Sequence, residues 1–226
     1  MSDAVLTMAG VEYAYRRTAA LRGVSMTARA GEIVAVTGPS GSGKSTLLHI
    51  ASGVLRPQAG TVRLLDHDLL SIGEADRCRL RRRQVGIVLQ FGQLVPDLPL
   101  IDNVALPLLL DGNDMAGART AAAGWLERVQ LDGMAAVVPA ELSGGQAQRA
   151  AVARALITGP AVVFADEPTG STDLLGGELL LDLLIGAVRE RNAALVLVTH
   201  DNTIATRADR EVRLRDGLVD HEVRLT

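Results

Sequence analysis

Residues Gly38-Pro39-Ser40-Gly41-Ser42-Gly43-Lys44-Ser45-Thr46 follow the spacing G-x-x-x-x-G-K-[ST]. Glycines at such spacing let successive backbone N–H groups turn inward around an anion, and a helix starting at Lys44 adds the partial positive charge of its N-terminus. Lys44 is the length and charge needed to reach β- and γ-phosphates, and the Ser45 hydroxyl suits Mg²⁺. A second chemical segment is Ala161-Val162-Val163-Phe164-Ala165-Asp166-Glu167, an apolar run that ends in two carboxylates. Asp166 suits a place behind Mg²⁺, and Glu167 suits a base that polarises an attacking water. Alone, the pair could be an acidic strand-end turn punctuated by Pro168.

A third segment, Leu142-Ser143-Gly144-Gly145-Gln146, opens a candidate helix that carries Gln148, Arg149 and Arg154. Ser143 with the Gly144 and Gly145 amides makes another helix-start anion site. A chain with two phosphate-binding helix starts cannot easily turn both on one nucleotide. A head-to-tail dimer in which Ser143 to Gln146 closes on the partner's nucleotide satisfies both. The competing reading of S-G-G-Q is an ordinary helix cap.

The elements that must carry these residues are legible in outline. Val5 to Met8, Val24 to Ala28 and Glu32 to Val36 read as short strands, with Gly31 as a turn. Val34 to Thr37 leads into the glycine loop, and a helix is expected from Lys44 to about Ser52. Gly60 to Leu65 and Val85 to Leu89 read as further strands. Residues 97–141 change to helical spacing around Trp125, Leu126 and Val129 and suggest an inserted helical lobe. Gln146 to Leu156 reads as a helix stopped by Gly159-Pro160. Ala161 to Ala165 and Ala194 to Thr199 are uncharged and apolar, as expected of central parallel strands covered on both faces. Helix Leu174 to Arg191 joins them as a right-handed crossover. In an open α/β sheet, ligands sit beyond the carboxyl ends of the strands, so the glycine loop and the acidic pair fall at one edge.

Composition bounds the function. The 226 residues carry a formal net charge of −3 and only 2% aromatic residues. There is neither a basic footprint nor a stacking platform for nucleic acid, and no nucleic-acid partner is expected. The single cysteine, Cys78, rules out an intramolecular disulfide. Met1 to Gly10 lacks the pattern of a signal peptide, and no apolar run reaches the ~18 residues of a membrane span. Any membrane component is expected on another chain.

With these three segments in place, the sequence resembles the nucleotide-binding subunit of an ABC transporter over essentially its whole length. The resemblance implies a P-loop NTPase (RecA-like) α/β core with an N-terminal antiparallel β subdomain and an α-helical subdomain inserted at approximately 91–156. The whole, residues 1–226, is expected to form one ABC ATPase domain. It implies ATP and Mg²⁺ as ligands, with Ser45, Gln90 and Asp166 around the metal. Tyr15 resembles the aromatic that stacks on adenine, with Tyr13 the less suitable by spacing. Gln90 resembles the glutamine that senses Mg²⁺ and couples to the membrane partner. Ser171-Thr172-Asp173 resembles the loop that crosses to a partner's site, and His200 the switch histidine that contacts the γ-phosphate. Taken singly, Tyr15 could be a surface strand residue, Gln90 a strand-end cap and His200 a loop residue. His49, His67 and His221 match no motif and read as structural or solvated. Thr172 departs from the pattern, since a leucine usually stands there.

Gly38 to Gly43, Asn103-Val104-Ala105-Leu106-Pro107, Glu141 to Gln146 and Ala165 to Gly170 resemble the lipoprotein-release and macrolide-export group of these ATPases. That implies a second copy of the chain and integral membrane permease subunits as partners, at the cytoplasmic side of the membrane. The apolar stretch Phe91 to Leu110 is expected to build a groove for a permease helix, or to pack within the helical lobe. The basic run Arg77 to Arg83 reads as a solvated helix face. The rival readings are a soluble ABC ATPase and an ATPase that regulates a non-transport membrane complex. A soluble one usually carries two cassettes or a long coiled coil, which this chain lacks.

Overall fold

The computed structural model describes residues 4–90, 92–170 and 172–225. Phe91 and Ser171, both named above, lie outside them. The chain opens with β1 (Ala4–Tyr15), β2 (Thr18–Arg29) and β3 (Ile33–Thr37), then α1 (Lys44–Ala51), β4 (Ala59–Leu64) and β5 (His67–Asp68). Next come α2 (Glu74–Gln84), β6 (Val85–Val88), α3 (Leu100–Leu110) and α4 (Met115–Arg128). A 3₁₀ turn at Pro139–Glu141 precedes α5 (Gly144–Leu156), β7 (Val162–Asp166) and α6 (Leu174–Glu190). The chain closes with β8 (Ala194–Val198), α7 (Asn202–Ala205), β9 (Arg210–Arg215) and β10 (Leu218–Arg224).

Two sheets result. A four-stranded antiparallel sheet runs β2-β1-β4-β5, and a six-stranded sheet runs β10-β9-β3-β8-β7-β6. In the larger sheet β9, β3, β8, β7 and β6 are parallel, and only β10 runs against its neighbour. Every residue of β3 and of β8 is buried, which explains why both are apolar apart from Thr37 at the end of β3. Alternate residues serve opposite faces. Ile33, Ala35, Leu195 and Leu197 pack with the helices α3 to α6. Val34, Val36, Val196 and Val198 pack with α1 and the smaller sheet. Each Ile, Val or Leu among them, fully buried, contributes about 1.5–3 kcal/mol. Leu180, Leu181, Leu184, Ala187 and Val188 form the helical-period face by which α6 covers the sheet between β7 and β8.

The first hairpin is longer than its apolar pattern predicts. β1 and β2 extend to Tyr15 and Thr18 through register shifts between Met8 and Val11 and between Tyr13 and Ala14. Such irregularities break the period of two by which a strand is read. The C-terminal hairpin β9–β10 and helix α7 have no counterpart in the sequence reading. β9 hides its pattern because a charged residue, Arg210, takes a buried position, where it bonds Glu32, Glu222 and the Thr27 carbonyl.

Helices α3 and α4 stand where residues 97–141 change character. Fully buried Asn103 ties the preceding loop to α3, accepting from the Val95 N–H at 2.7 Å and donating to the carbonyls of Val95 and Leu98. Arg77 to Arg83 lies on α2, where Arg82 and Arg83 pair with Asp111 at the end of α3. His49 is half-buried, and His67 and His221 are exposed.

Candidate active site

The strand order places β8 between β3 and β7, with β6 beyond. Because these strands are parallel, their carboxyl ends share one edge, and the loops leaving them converge. A cleft of about 690 Å³ opens there, lined by Tyr15, Ser40, Gly41, Gly43, Lys44, Ser45, Thr46, Gln90, Asp166, Glu167 and His200. Thr18, Ala19 and Ala20 complete its wall. Sequence reasoning missed those three, since small residues in a hairpin carry no chemical signal.

The glycine loop is held from behind by backbone. Gly38 takes φ 136° and Gly43 φ 103°, conformations that favour glycine. A Cβ on Gly38 would collide with the Leu214 carbonyl of β9, and one on Gly43 with the Ala20 carbonyl of β2. The Gly217 N–H donates to the Ser42 carbonyl at 3.2 Å, so the turn of the C-terminal hairpin braces the loop. Ser42 is buried, and Gly38, Pro39 and Ser42 do not line the cleft while the remaining loop residues do. Lys44 Nζ donates to the carbonyls of Gly38 at 2.8 Å and Pro39 at 3.0 Å, which stretches the side chain across the loop.

Opposite stands the acidic pair. Asp166 ends β7, and Glu167 follows with φ 46°, left-handed for a residue that carries a Cβ. Such backbone costs of order 1–3 kcal/mol and persists where its surroundings over-determine it. Here the Glu167 N–H donates to the Val198 carbonyl at 3.0 Å, and Glu167 Oε1 lies 2.6 Å from His200 Nδ1. Thr199 Oγ1, fully buried, donates to Glu167 Oε2 at 3.5 Å. Thr199 is a further contact that motif reading missed. Gln90 stands near Gly170, where a Cβ would meet its Nε2 at 3.3 Å.

Tyr15 rather than Tyr13 reaches the cleft. Their rings meet edge to face, 4.9 Å apart, so Tyr13 buttresses a half-exposed Tyr15. Ser143 to Gln146 do not line the cleft. They form a capping box: Gln146 N–H donates to Ser143 Oγ at 3.2 Å, and Ser143 N–H donates to Gln146 Oε1 at 2.9 Å. The segment caps α5 and leaves the hydroxyl proton of exposed Ser143 and the first-turn glycine amides of α5 available. The Thr172 hydroxyl donates to the Thr169 carbonyl at 2.8 Å, and a Cβ on Gly145 would lie 3.6 Å from its Cγ2.

Among the described residues no cluster of His, Cys, Asp and Glu could cage a metal. Among the residues lining the cleft, Ser45, Gln90 and Asp166 offer a hydroxyl, an amide and a carboxylate. Oxygen donors of this kind fit Mg²⁺, which keeps several waters and binds through one or two protein groups plus substrate phosphates.

The ABC transporter family matches residues 21–170 of this sequence. The lipoprotein-releasing system ATP-binding protein LolD of Legionella pneumophila (strain Paris) is 42% identical over 221 residues, covering 96% of this chain and 97% of that protein. The LolD of Hydrogenovibrio crunogenus (strain DSM 25203 / XCL-2) is also 42% identical, covering 96% of each. Among solved structures, the dimeric ABC transporter cassette MJ0796 superposes with a TM-score of 0.92 at 34% identity, covering 98% of this chain and 99% of that one. The same cassette in a post-hydrolysis state bound to ADP and Pi gives 0.91, at the same identity and coverage.

This chain belongs to the ABC transporter family. It is an ATPase with the P-loop NTPase fold, the subunit that powers a membrane transport system.

Proposed function

We propose that this chain drives a membrane complex of the lipoprotein-release type, working as a head-to-tail pair of cassettes on integral permease subunits at the cytoplasmic face. One observation carries the reading: a single cleft faces the glycine loop with Asp166, Glu167, Gln90 and His200. The chain acts as one ABC ATPase domain, residues 1–226, with approximately 91–156 as its helical subdomain.

In this reading Tyr15 stacks on adenine, and the loop Gly38 to Thr46 cradles the phosphates through its amides and Lys44. Ser45, Gln90 and Asp166 hold Mg²⁺, which neutralises charge on the β- and γ-oxygens. Glu167 polarises the attacking water for in-line displacement, and His200 and Lys44 stabilise charge developing on the γ-phosphate. The Ser143 hydroxyl and the Gly144 and Gly145 amides, with Gln146, close on ATP held by the second copy. The dimeric solved cassette and the exclusion of this segment from its own cleft support that arrangement.

The permease reading rests on a groove of about 450 Å³ between α2, α3 and α5, lined by apolar Leu106, Pro107 and Leu110 and by Arg81, Arg82 and Arg154. Leu110 is 62% exposed, an apolar side chain with the room to receive a helix. The lipoprotein-release assignment comes from the relatives' names and their near-complete coverage.

The test is co-purification of the tagged chain from membranes in detergent. It is expected to retain a permease with a large extracytoplasmic domain, and Leu110→Asp is expected to lose it. Wild-type retention by that variant counts against the groove.

A further inference from the structure

Helix α5 begins at the Ser143 cap and runs beneath the segment that carries Gln90. Two of its side chains end on backbone carbonyls of that segment. Gln148 Nε2 donates to the Leu89 carbonyl at 2.9 Å. Arg154 spans the next pair, with Nη2 on the Gly92 carbonyl at 2.8 Å and Nη1 on the Gln93 carbonyl at 2.9 Å. The gripped carbonyls thus bracket Gln90 from both sides.

Neither grip is generic packing. Gln148 is fully buried, and its Oε1 has no partner among the described residues. Flipping the amide would set oxygen against the Leu89 carbonyl, so that carbonyl fixes the orientation. Arg154 forms no ion pair among the described residues, and burial pushes its guanidinium below the ordinary range. A half-buried charge satisfied by carbonyl dipoles rather than a carboxylate is costly, and it is retained here at two positions of unusual backbone. Gly92 takes φ 67° and Gln93 φ 46°, consecutive left-handed residues. The helix also touches the segment directly, because a Cβ on Gly92 would lie 3.1 Å from the Ala147 carbonyl.

We propose that Gln148 and Arg154 are positioning residues for Gln90, acting through the Leu89, Gly92 and Gln93 carbonyls, so that α5 links the Ser143 cap to the Gln90 site within one chain. The inference rests on the reading that Gln90 serves the Mg²⁺–nucleotide site and that Ser143 to Gln146 face the second copy's ATP. Its physical content is a short lever. The cap and both gripping side chains belong to one helix, which moves as a unit, so a shift at the cap is delivered to the backbone on either side of Gln90. Binding of the second copy's nucleotide at Ser143 would in this way set the placement of Gln90 at the chain's own site.

The test uses the full chain and four variants: Gln90→Ala, Gln148→Met, Arg154→Lys and the double variant Gln90→Ala/Gln148→Met. Gln148→Met keeps volume and removes the donor together with the unpartnered oxygen. Arg154→Lys keeps charge and loses the two-pronged reach. The readout is the Mg²⁺ concentration for half-maximal ATPase, with thermal melting run alongside. The expected result is an increase in that concentration of roughly three- to tenfold in each single variant, the size of one lost hydrogen bond, with no further increase in the double variant. A purely structural role would lower melting temperature and turnover without moving Mg²⁺ half-saturation. If Gln90→Ala shifts it while Gln148→Met and Arg154→Lys do not, or if the double variant is additive, the positioning role is overturned and the Gln90 reading stands. If Gln90→Ala itself leaves it unchanged, the Gln90 reading falls and the positioning role falls with it.

Discussion

His200 Nδ1 lies 2.6 Å from Glu167 Oε1 although 33 residues separate them. An ionised carboxylate and a phosphate oxygen both only accept, so an imidazole that bridges the two must carry a proton on each ring nitrogen. Glu167 is thereby aimed by two neighbours, His200 and Thr199. Glu167→Gln is expected to slow hydrolysis by roughly 10²–10⁴-fold, the range for loss of a positioned base. ATP binding should survive, and sizing chromatography with ATP should show a trapped dimer. Only monomer under those conditions would sink the sandwich arrangement.

Lys44 Nζ spans the loop to the Gly38 and Pro39 carbonyls. Lys44→Ala removes both that brace and the charge offered to the phosphates. Nucleotide binding is expected to weaken by roughly 10- to 150-fold for each charge-assisted hydrogen bond lost. Titration with a fluorescent ATP analogue checks this, and tight residual affinity would count against the loop assignment.

Gly43 sits at φ 103° with the Ala20 carbonyl and the Leu21 side chain where a Cβ would go. Gly43→Ala is expected to destabilise the fold by about 1–3 kcal/mol and to weaken ATP binding together with it, because the same loop carries both. Urea unfolding with and without ATP reads the two effects. An unchanged midpoint would show that the loop relaxes freely.

Glu32 gives a pH dependence. Burial pushes its carboxyl up, but the Arg210 hydrogen bond and the Arg29 N–H together outweigh burial, and the carboxyl sits below its ordinary value. A carboxyl depressed in the folded state stabilises above its unfolded pKa, and that contribution fades as pH falls through the folded pKa. Glu32→Gln should therefore cost roughly 1–2 kcal/mol at neutral pH, the scale of a charged hydrogen bond. The difference from wild type should shrink towards zero in acid below the ordinary carboxylate range. Denaturant midpoints at both pH values measure it, and a gap that persists unchanged in acid would show that the charge is not the stabilising element.

Much of the site was legible because its chemistry is local. The loop Gly38 to Thr46 and the pair Asp166-Glu167 are contiguous, and their spacing follows from the size of a phosphate group and the pitch of a helix start. The buried strands β3, β7 and β8 announced themselves by unbroken apolar runs. The long β1–β2 hairpin, β9 and β10 did not, because strand register is set by a partner elsewhere in the chain. Thr18, Ala19 and Ala20 escaped for a related reason, since their types are ordinary and only position gives them a part in the cleft, as only position sets Thr199 against Glu167. Thr172 was read as a departure from the pattern, and its hydroxyl turned out to be held by the Thr169 carbonyl.

The sequence by itself determined which groups could meet a triphosphate: a lysine and glycine amides at one helix start, a carboxylate pair at a strand end, and a second helix start at Ser143. It did not place them against each other. That was decided by the parallel pairing of β3, β8 and β7, which lays the carboxyl ends of strands distant in sequence side by side. Parallel neighbours must be joined by crossovers, so these contacts are long-range and leave no local signature. Only the tertiary structure could bring His200 onto Glu167, set Tyr15 rather than Tyr13 on the cleft wall, and run α5 from Ser143 beneath the backbone that carries Gln90.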